Sequence, residues 1–277
     1  MTSPALQEIV ALLGCPAAGN PAQYLFERAI EAAELDWRFL TLDVAPERIA
    51  DAIAGVAAMG FRGCLVSGPL REAASSLVPT VTPAATFSGA VSLIDRQPTG
   101  LVGHMTGGRG LMEALRSHID PVIAPVLILG AGPESRAAAL ELALAGCPGL
   151  TICDRDAERA TSLVDALNAL GGCPASAIPW EATIDIPRET GIVISTLPAA
   201  EGRPPAAFTG LRSDMVVADT PLVPQPSPMI ALALGVGACA IDGLEIHAET
   251  TAIDFHTWTG IEPDTEMLRE ALDEFMS

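Results

Sequence analysis

Short, wholly apolar runs alternate along this chain with longer stretches in which apolar residues recur every three or four positions. EIVALLG (8–14) has the first character and predicts a buried strand. NPAQYLFERAIEAAEL (20–35) has the second: Tyr24, Leu25, Ala29, Ile30 and Ala33 share one helical stripe, Asn20 can cap, and Pro21 suits the first helical position. WRFLTLDV (37–44) predicts a strand, PERIADAIAGVAAMGF (46–61) a helix ending near Gly60, and GCLVSGP (63–69) the next strand. A further helix follows, then strands over 89–95 and 99–105 turned by Arg96-Gln97-Pro98. Residues 1 to about 100 therefore predict an α/β unit with a mixed sheet.

From residue 110 the pattern changes. GLMEALRSHI (110–119) predicts a connecting helix, and PVLILGAGPESRAAALELALAG (125–146) runs four apolar residues into a glycine turn and then an Ala-rich helix. LTICDRDAERATSLVDAL (150–167) predicts a strand and a helix. GIVISTLP (191–198), MVVADTPL (215–222) and GACAIDG (237–243) predict three more strands, and helices close the chain around 244–256 and 263–276. Strands that are almost wholly apolar and alternate with helices predict a parallel sheet covered on both faces.

Composition narrows the chemistry. At 277 residues the length suits two domains. Apolar residues make up 49% but aromatics only 4%, so Ala, Leu, Val and Ile must fill the core. A net charge of -19 disfavours nucleic acid and anionic membranes as partners. All 15 basic residues are arginine. The absence of lysine removes Schiff-base chemistry, a lysine general base and a lysine-dependent phosphate loop. Six scattered cysteines (15, 64, 147, 153, 173 and 239) include no C-x-x-C pair and predict buried thiols in a reducing compartment. Four histidines (104, 118, 247 and 256) lack metal-ligand spacing, so no metal is expected. The N-terminus has no basic, apolar leader, and PVIAPVLILG is short and broken by proline. The expectation is a soluble cytoplasmic protein.

A strand, Gly130-Ala131-Gly132, a helix, and an acid (Asp154) at the end of the next strand form a dinucleotide-binding pattern. The first glycine permits the tight turn and the second lets backbone approach a pyrophosphate. The loop departs from the ideal at two places. Pro133 offers no N–H, and Glu134 puts a negative charge in the first helical turn.

GAGPESRA (130–137), DRDAERA (154–160), STLP (195–198), DTPLVP (219–224), SPMIALALGVGA (227–238) and FHTWTG (255–260), in this order, resemble the shikimate dehydrogenase family over nearly the whole chain. The resemblance implies an α/β substrate domain with a mixed sheet (1–104 with 245–277), a Rossmann-type dinucleotide domain with a parallel sheet (105–244), and a cleft between them. It also implies a role in aromatic amino acid biosynthesis. GCLVSGPLRE (63–72) matches the family's Asn-Val-Thr-Ile-Pro-His-Lys segment, which puts Ser67 on the Thr and Arg71 on the catalytic Lys. Met105-Thr106-Gly107-Gly108 matches Asn-Thr-Asp-Gly, so Gly107 holds the catalytic Asp position. Ser92 falls on a substrate-binding Asn, Asn20 lies in the shortened N-terminal loop, and Thr250 falls on a late Gln. Thr196 and Leu197 belong to the cofactor loops by the same resemblance.

The family's reaction moves a hydride between nicotinamide and a hydroxyl-bearing carbon while Lys and Asp handle the proton. Arg71 keeps the charge but cannot act as a base, and Gly107 has no acid. The resemblance therefore implies an NAD(P)-dependent oxidoreductase with a changed substrate, weakly active or inactive on shikimate. His104 is the candidate substitute proton carrier, Tyr24 a candidate near the substrate loop, and Arg71 a clamp for a substrate carboxylate. Arg155 and Arg159 match the NADP-binding arginines, whereas Asp154 favours a ribose hydroxyl. NAD, NADP and no cofactor stay open, with the acid favouring NAD. Two other readings stay open: a non-catalytic small-molecule-binding or regulatory relative, and a scaffold serving in assembly. The oligomeric state is monomer or homodimer.

Overall fold

The apolar runs become strands and the periodic stretches helices. The computed structural model describes residues 7–198 and 203–277. Its first part comprises β1 (Glu8–Gly14), α1 (Ala22–Ala32), β2 (Trp37–Asp43), α2 (Ile49–Ala58), β3 (Gly63–Val66), α3 (Arg71–Ser75), β4 (Thr80–Val81), α4 (Pro83–Ser88), β5 (Leu93–Gln97) and β6 (Gly100–His104). These strands form one sheet in the order β2-β1-β3-β5-β6-β4. β1 pairs parallel with β2 and β3, while β5 runs antiparallel to both β3 and β6, which is the mixed sheet expected.

Several boundaries differ from the sequence reading. Asn20 accepts the Ala22 N–H at 2.9 Å just before α1, whose N-cap position is Pro21, but the helix stops at Ala32, because the chain leaves helical geometry at Glu34 with φ +53°. The β5–β6 turn lies at Pro98-Thr99, not Arg96-Gln97-Pro98, because Gln97 is still paired with Gly100. Residues 89–92 are not strand, since Gly89 ends α4 at φ +70°.

The second part comprises α5 (Gly107–Arg116), β7 (Val126–Leu129), α6 (Pro133–Ala145), β8 (Leu150–Cys153), α7 (Ala157–Leu170), β9 (Ala175–Ala177), β10 (Thr183–Asp185), β11 (Ile192–Ser195), β12 (Ala207–Thr209), β13 (Val216–Asp219), α8 (Pro228–Gly235) and β14 (Cys239–Ile241). Its main sheet has the order β14-β13-β11-β7-β8-β9 and is parallel throughout. The central strands β7, β11 and β13 are buried at every residue, as their unbroken apolar sequences require. The edge strand β9 and the small β10–β12 sheet were not legible as apolar runs. α9 (Gly243–Thr259) and α10 (Thr265–Met276) close the chain. Contacts divide the protein into two units, one running to Thr106 and resuming at Thr250, the other Gly107–Glu249. Among the described residues no helix is long and apolar enough to cross a membrane.

In the first unit, α9 delivers Trp258 to the sheet. Its Nε1–H donates to the Ile94 carbonyl at 3.1 Å, and its ring lies 5.2 Å from Phe26. Gly63 makes room for this, since a Cβ there would run into both the Trp258 indole and the Ile94 carbonyl. Beside it the Arg62 guanidinium pairs with buried Asp95 and donates to the Trp258 carbonyl at 3.1 Å.

In the second unit, α5 lies hard against α6. A Cβ on Gly108 would stand 2.5 Å from the backbone carbonyl of Ala137. Gly108→Ala is therefore expected to destabilise the protein by about 1–3 kcal/mol through overpacking, although alanine is the better helix former. Urea unfolding checks this, and a midpoint at or above wild type refutes it.

Candidate functional site

At the C-terminal end of β7 the chain turns through Gly130, Ala131 and Gly132 into α6. Gly130 has φ +114°, a conformation that favours glycine. A Cβ there would lie 2.7 Å from both Ser135 Oγ and Thr196 Oγ1, which are 2.6 Å apart. The Thr196 amide donates to the Leu129 carbonyl at 3.1 Å, so the segment after β11 is stitched to the end of β7. Leu197 packs beside it on the apolar cluster that includes Leu127 and Leu129. A Cβ on Gly132 would meet nothing within 4 Å, which leaves that face of the loop open for an incoming group. Helix N-termini after such loops suit phosphate, although Pro133 withholds one amide.

Asp154 is the clasp of this loop. Its Oδ2 accepts the Ala131 N–H at 2.6 Å and its Oδ1 accepts the Asp156 N–H at 2.7 Å. Asp156 in turn caps α7 through the amides of Glu158 and Arg159, and pairs with the Arg159 guanidinium at 3.7 Å. Arg155 lies 5.1 Å over the ring of Trp180, which is itself packed on the core of the unit. The structure thus gathers Gly130, Ala131, Gly132, Asp154, Thr196 and Leu197 at the ends of β7, β8 and β11, with Arg155 and Arg159 following directly in sequence.

Glu134 has a place that the sequence did not disclose. Its carboxylate occupies the space where a side chain on Gly107 would begin. A Cβ on Gly107 would overlap Glu134 Oε2 and would lie 3.3 Å from Cδ. The position that lacks an acid in sequence therefore has a carboxylate beside it, carried by α6 instead of α5.

Asp219, at the end of β13, is a second group that sequence reasoning did not single out as chemistry. It is buried, and its Oδ2 accepts the Ser227 hydroxyl at 2.5 Å. Burial pushes its pKa up, against hydrogen bonds from Ser227 and Ser195 that pull it down.

In the first unit the candidates collect at one end of the sheet. Ser67 follows β3, donates its amide to the Leu13 carbonyl at 2.9 Å and accepts the Cys15 N–H on its Oγ at 3.3 Å. Ser92 lies opposite, its carbonyl accepting the Val66 N–H at 2.8 Å and its amide donating to the His104 carbonyl at 2.8 Å. Ser92 Oγ and Thr106 Oγ1 are 3.0 Å apart, and Ser92 Oγ also accepts the Thr106 N–H at 3.1 Å. Both hydroxyls are buried and engaged with each other. Arg71 opens α3 and donates from Nε to the Val66 carbonyl at 2.8 Å, which fixes its guanidinium at the end of β3. His104 is half-buried at the end of β6, and Thr250 is half-buried on α9.

Two candidates are engaged in contacts within the first unit. Tyr24 belongs to the α1–α10 contact: its hydroxyl lies 2.7 Å from Glu274 and 2.6 Å from Arg28, and its ring stands 5.8 Å from Phe275. Asn20 accepts the Ala22 N–H on its side-chain oxygen at the entry to α1.

Comparison with known proteins gives concordant results. The family model described as the shikimate dehydrogenase substrate binding domain matches residues 12–94. The NADP(+) shikimate dehydrogenase of Acidiphilium cryptum is 32% identical over 259 residues, 92% of this chain and 91% of that protein. A ligand-free 5-ketofructose reductase of Gluconobacter sp. strain CHM43 superimposes with a TM-score of 0.90 at 30% identity, covering 98% of this chain and 99% of that one. The shikimate 5-dehydrogenase of Thermus thermophilus, solved with NADP(H) and shikimate, gives 0.81 at 27% identity, covering 97% and 100%.

The raised pKa of Asp219 has a measurable consequence. Folding favours its protonated form, so its contribution to stability is complete below the ordinary Asp pKa of ~3.9 and is lost as pH rises through the raised value. Asp219→Asn cannot ionise. The stability of wild type relative to this variant should therefore fall between pH 4 and pH 7. Urea unfolding at both pH values tests this, and an unchanged difference contradicts it.

Proposed function

Because this chain belongs to the shikimate dehydrogenase family, we propose that it is an NAD(P)-dependent oxidoreductase acting on a polyhydroxylated alcohol or ketone other than shikimate. The observation that carries the reading is the Glu134 carboxylate beside Gly107. At the position where the family's aspartate would stand, this chain keeps a carboxylate but supplies it from the neighbouring helix. Glu134 takes the proton of the substrate hydroxyl, or orients it. A bound nicotinamide cofactor provides or accepts the hydride.

Gly130, Ala131 and Gly132 would hold the pyrophosphate, with Thr196 and Leu197 flanking it. The open face at Gly132 fits that group. Asp154 and Asp156 put two carboxylates at the end of β8, and Arg159 is already paired with Asp156. This charge pattern favours NAD over NADP. The substrate is a neutral or carboxylated polyol. The relative from Gluconobacter is named for reducing a keto sugar, which supports a substrate range for this fold wider than shikimate. The second reading, a non-catalytic ligand-binding relative, is favoured by the loss of both lysine and aspartate and by Ser92 and Thr106 bonding to each other.

Thermal and urea unfolding with NAD or NADP separates the possibilities. A bound dinucleotide at 100 times its Kd should add ~2.7 kcal/mol. No stabilisation by either at millimolar concentration sinks the oxidoreductase reading. Stabilisation without turnover of shikimate, quinate or 5-ketofructose supports the binding relative. Where turnover is found, Glu134→Ala is expected to lower kcat by ~10²-fold or more with the cofactor effect retained. The double exchange Gly107→Asp/Glu134→Ala returns the carboxylate to α5 and should recover part of that loss. Equal activity in wild type and Glu134→Ala removes Glu134 from the mechanism.

A further inference from the structure

Away from the glycine loop, three side chains from three elements of the second unit meet at the start of β14. Cys239, the first residue of that strand, has its Sγ 3.7 Å from His118 Nδ1. His118, in the segment after α5, has its Nε2 2.8 Å from Glu245 Oε1. Glu245 lies in the first turn of α9, where its amide is held by Asp242 Oδ1 at 3.0 Å. A carboxylate on Nε2 selects the tautomer that carries its proton there, which leaves Nδ1 as the acceptor facing the thiol. The order is nucleophile, base and orienting acid, each within reach of the next.

All six cysteines are among the described residues, and Cys239 is the exposed one. Cys64, Cys147, Cys153 and Cys173 are buried, which shields them from a solution electrophile, and burial also raises their pKa.

We propose that Cys239, His118 and Glu245 form a second reactive site, a base-assisted thiol that takes small uncharged electrophiles of the α,β-unsaturated carbonyl class. In the addition, the thiol proton passes to His118 Nδ1 as sulfur bonds to the β-carbon. The π electrons of the double bond become an enolate, and the imidazolium returns the proton to the α-carbon. No group leaves, nothing is oxidised, and His118 ends neutral. Partial burial and the Glu245 charge raise the Cys239 pKa, so the resting sulfur is a thiol and the base must act during the attack. Glu245 and the net charge of -19 disfavour anionic electrophiles.

The test treats the full chain with N-ethylmaleimide under limiting conditions and follows each cysteine by peptide mass mapping. The site predicts that Cys239 is modified first, that the reaction slows in D2O, and that the anionic 3-maleimidopropionate reacts more slowly at Cys239 than the neutral reagent. His118→Asn should slow modification by ~10²-fold and Glu245→Gln by about tenfold, while Cys239→Ser should abolish this adduct. Modification of another cysteine before Cys239, or rates in both variants within about twofold of wild type, overturns the proposal. If His118→Asn lowers the Tm sharply, Glu245→Gln and the isotope effect on wild type decide it.

Discussion

The second unit depends on how closely α5 approaches α6. Gly108 allows it, because a single methyl there would strike the backbone of Ala137. The approach fixes the N-terminus of α5 under the first turn of α6, and so brings Gly107 to Glu134. The same turn of α6 continues the loop that Asp154 clasps and that Ser135 ties to Thr196. One helix thus carries the loop at its start and a carboxylate one residue into its first turn. A change that pushes α5 outward would move the carboxylate relative to Gly107 and strain the loop together.

The first unit rests on a different constraint, the burial of polar groups at the point where the C-terminal segment rejoins the sheet. Trp258 would leave its indole N–H unsatisfied without the Ile94 carbonyl, and Asp95 would keep only the Gln97 amide as a side-chain partner for its buried carboxylate without Arg62. Arg62 also bonds the Trp258 carbonyl, so one guanidinium serves the sheet and the returning helix. This explains why the FHTWTG run stands out in the sequence: it carries the residue that closes this unit.

Features set by local pattern were legible in the sequence. The parallel strands are runs of apolar residues, and the turn at Gly130 needs the φ that glycine allows, so strands, loop and the acid Asp154 could be placed from spacing alone. Features set by contacts between distant segments were not. β9 is three small residues that become a strand only by pairing with β8. Tyr24 reads in sequence as a neighbour of the N-terminal loop, and its contact with Glu274, 250 positions away, has no local signal. The Cys239, His118 and Glu245 group joins positions separated by over a hundred residues, and no local spacing announces it.

Glu134 shows how two positions well separated in sequence can share one small space. Read along the chain, Gly107 is a missing acid and Glu134 an unwelcome charge beside a phosphate loop. In three dimensions the two departures are neighbours. A Cβ at 107 would meet the far end of the Glu134 side chain, so a larger residue there would turn that carboxylate aside. The carboxylate and the open position at 107 form one local feature, which the spacing of the two residues along the chain does not announce.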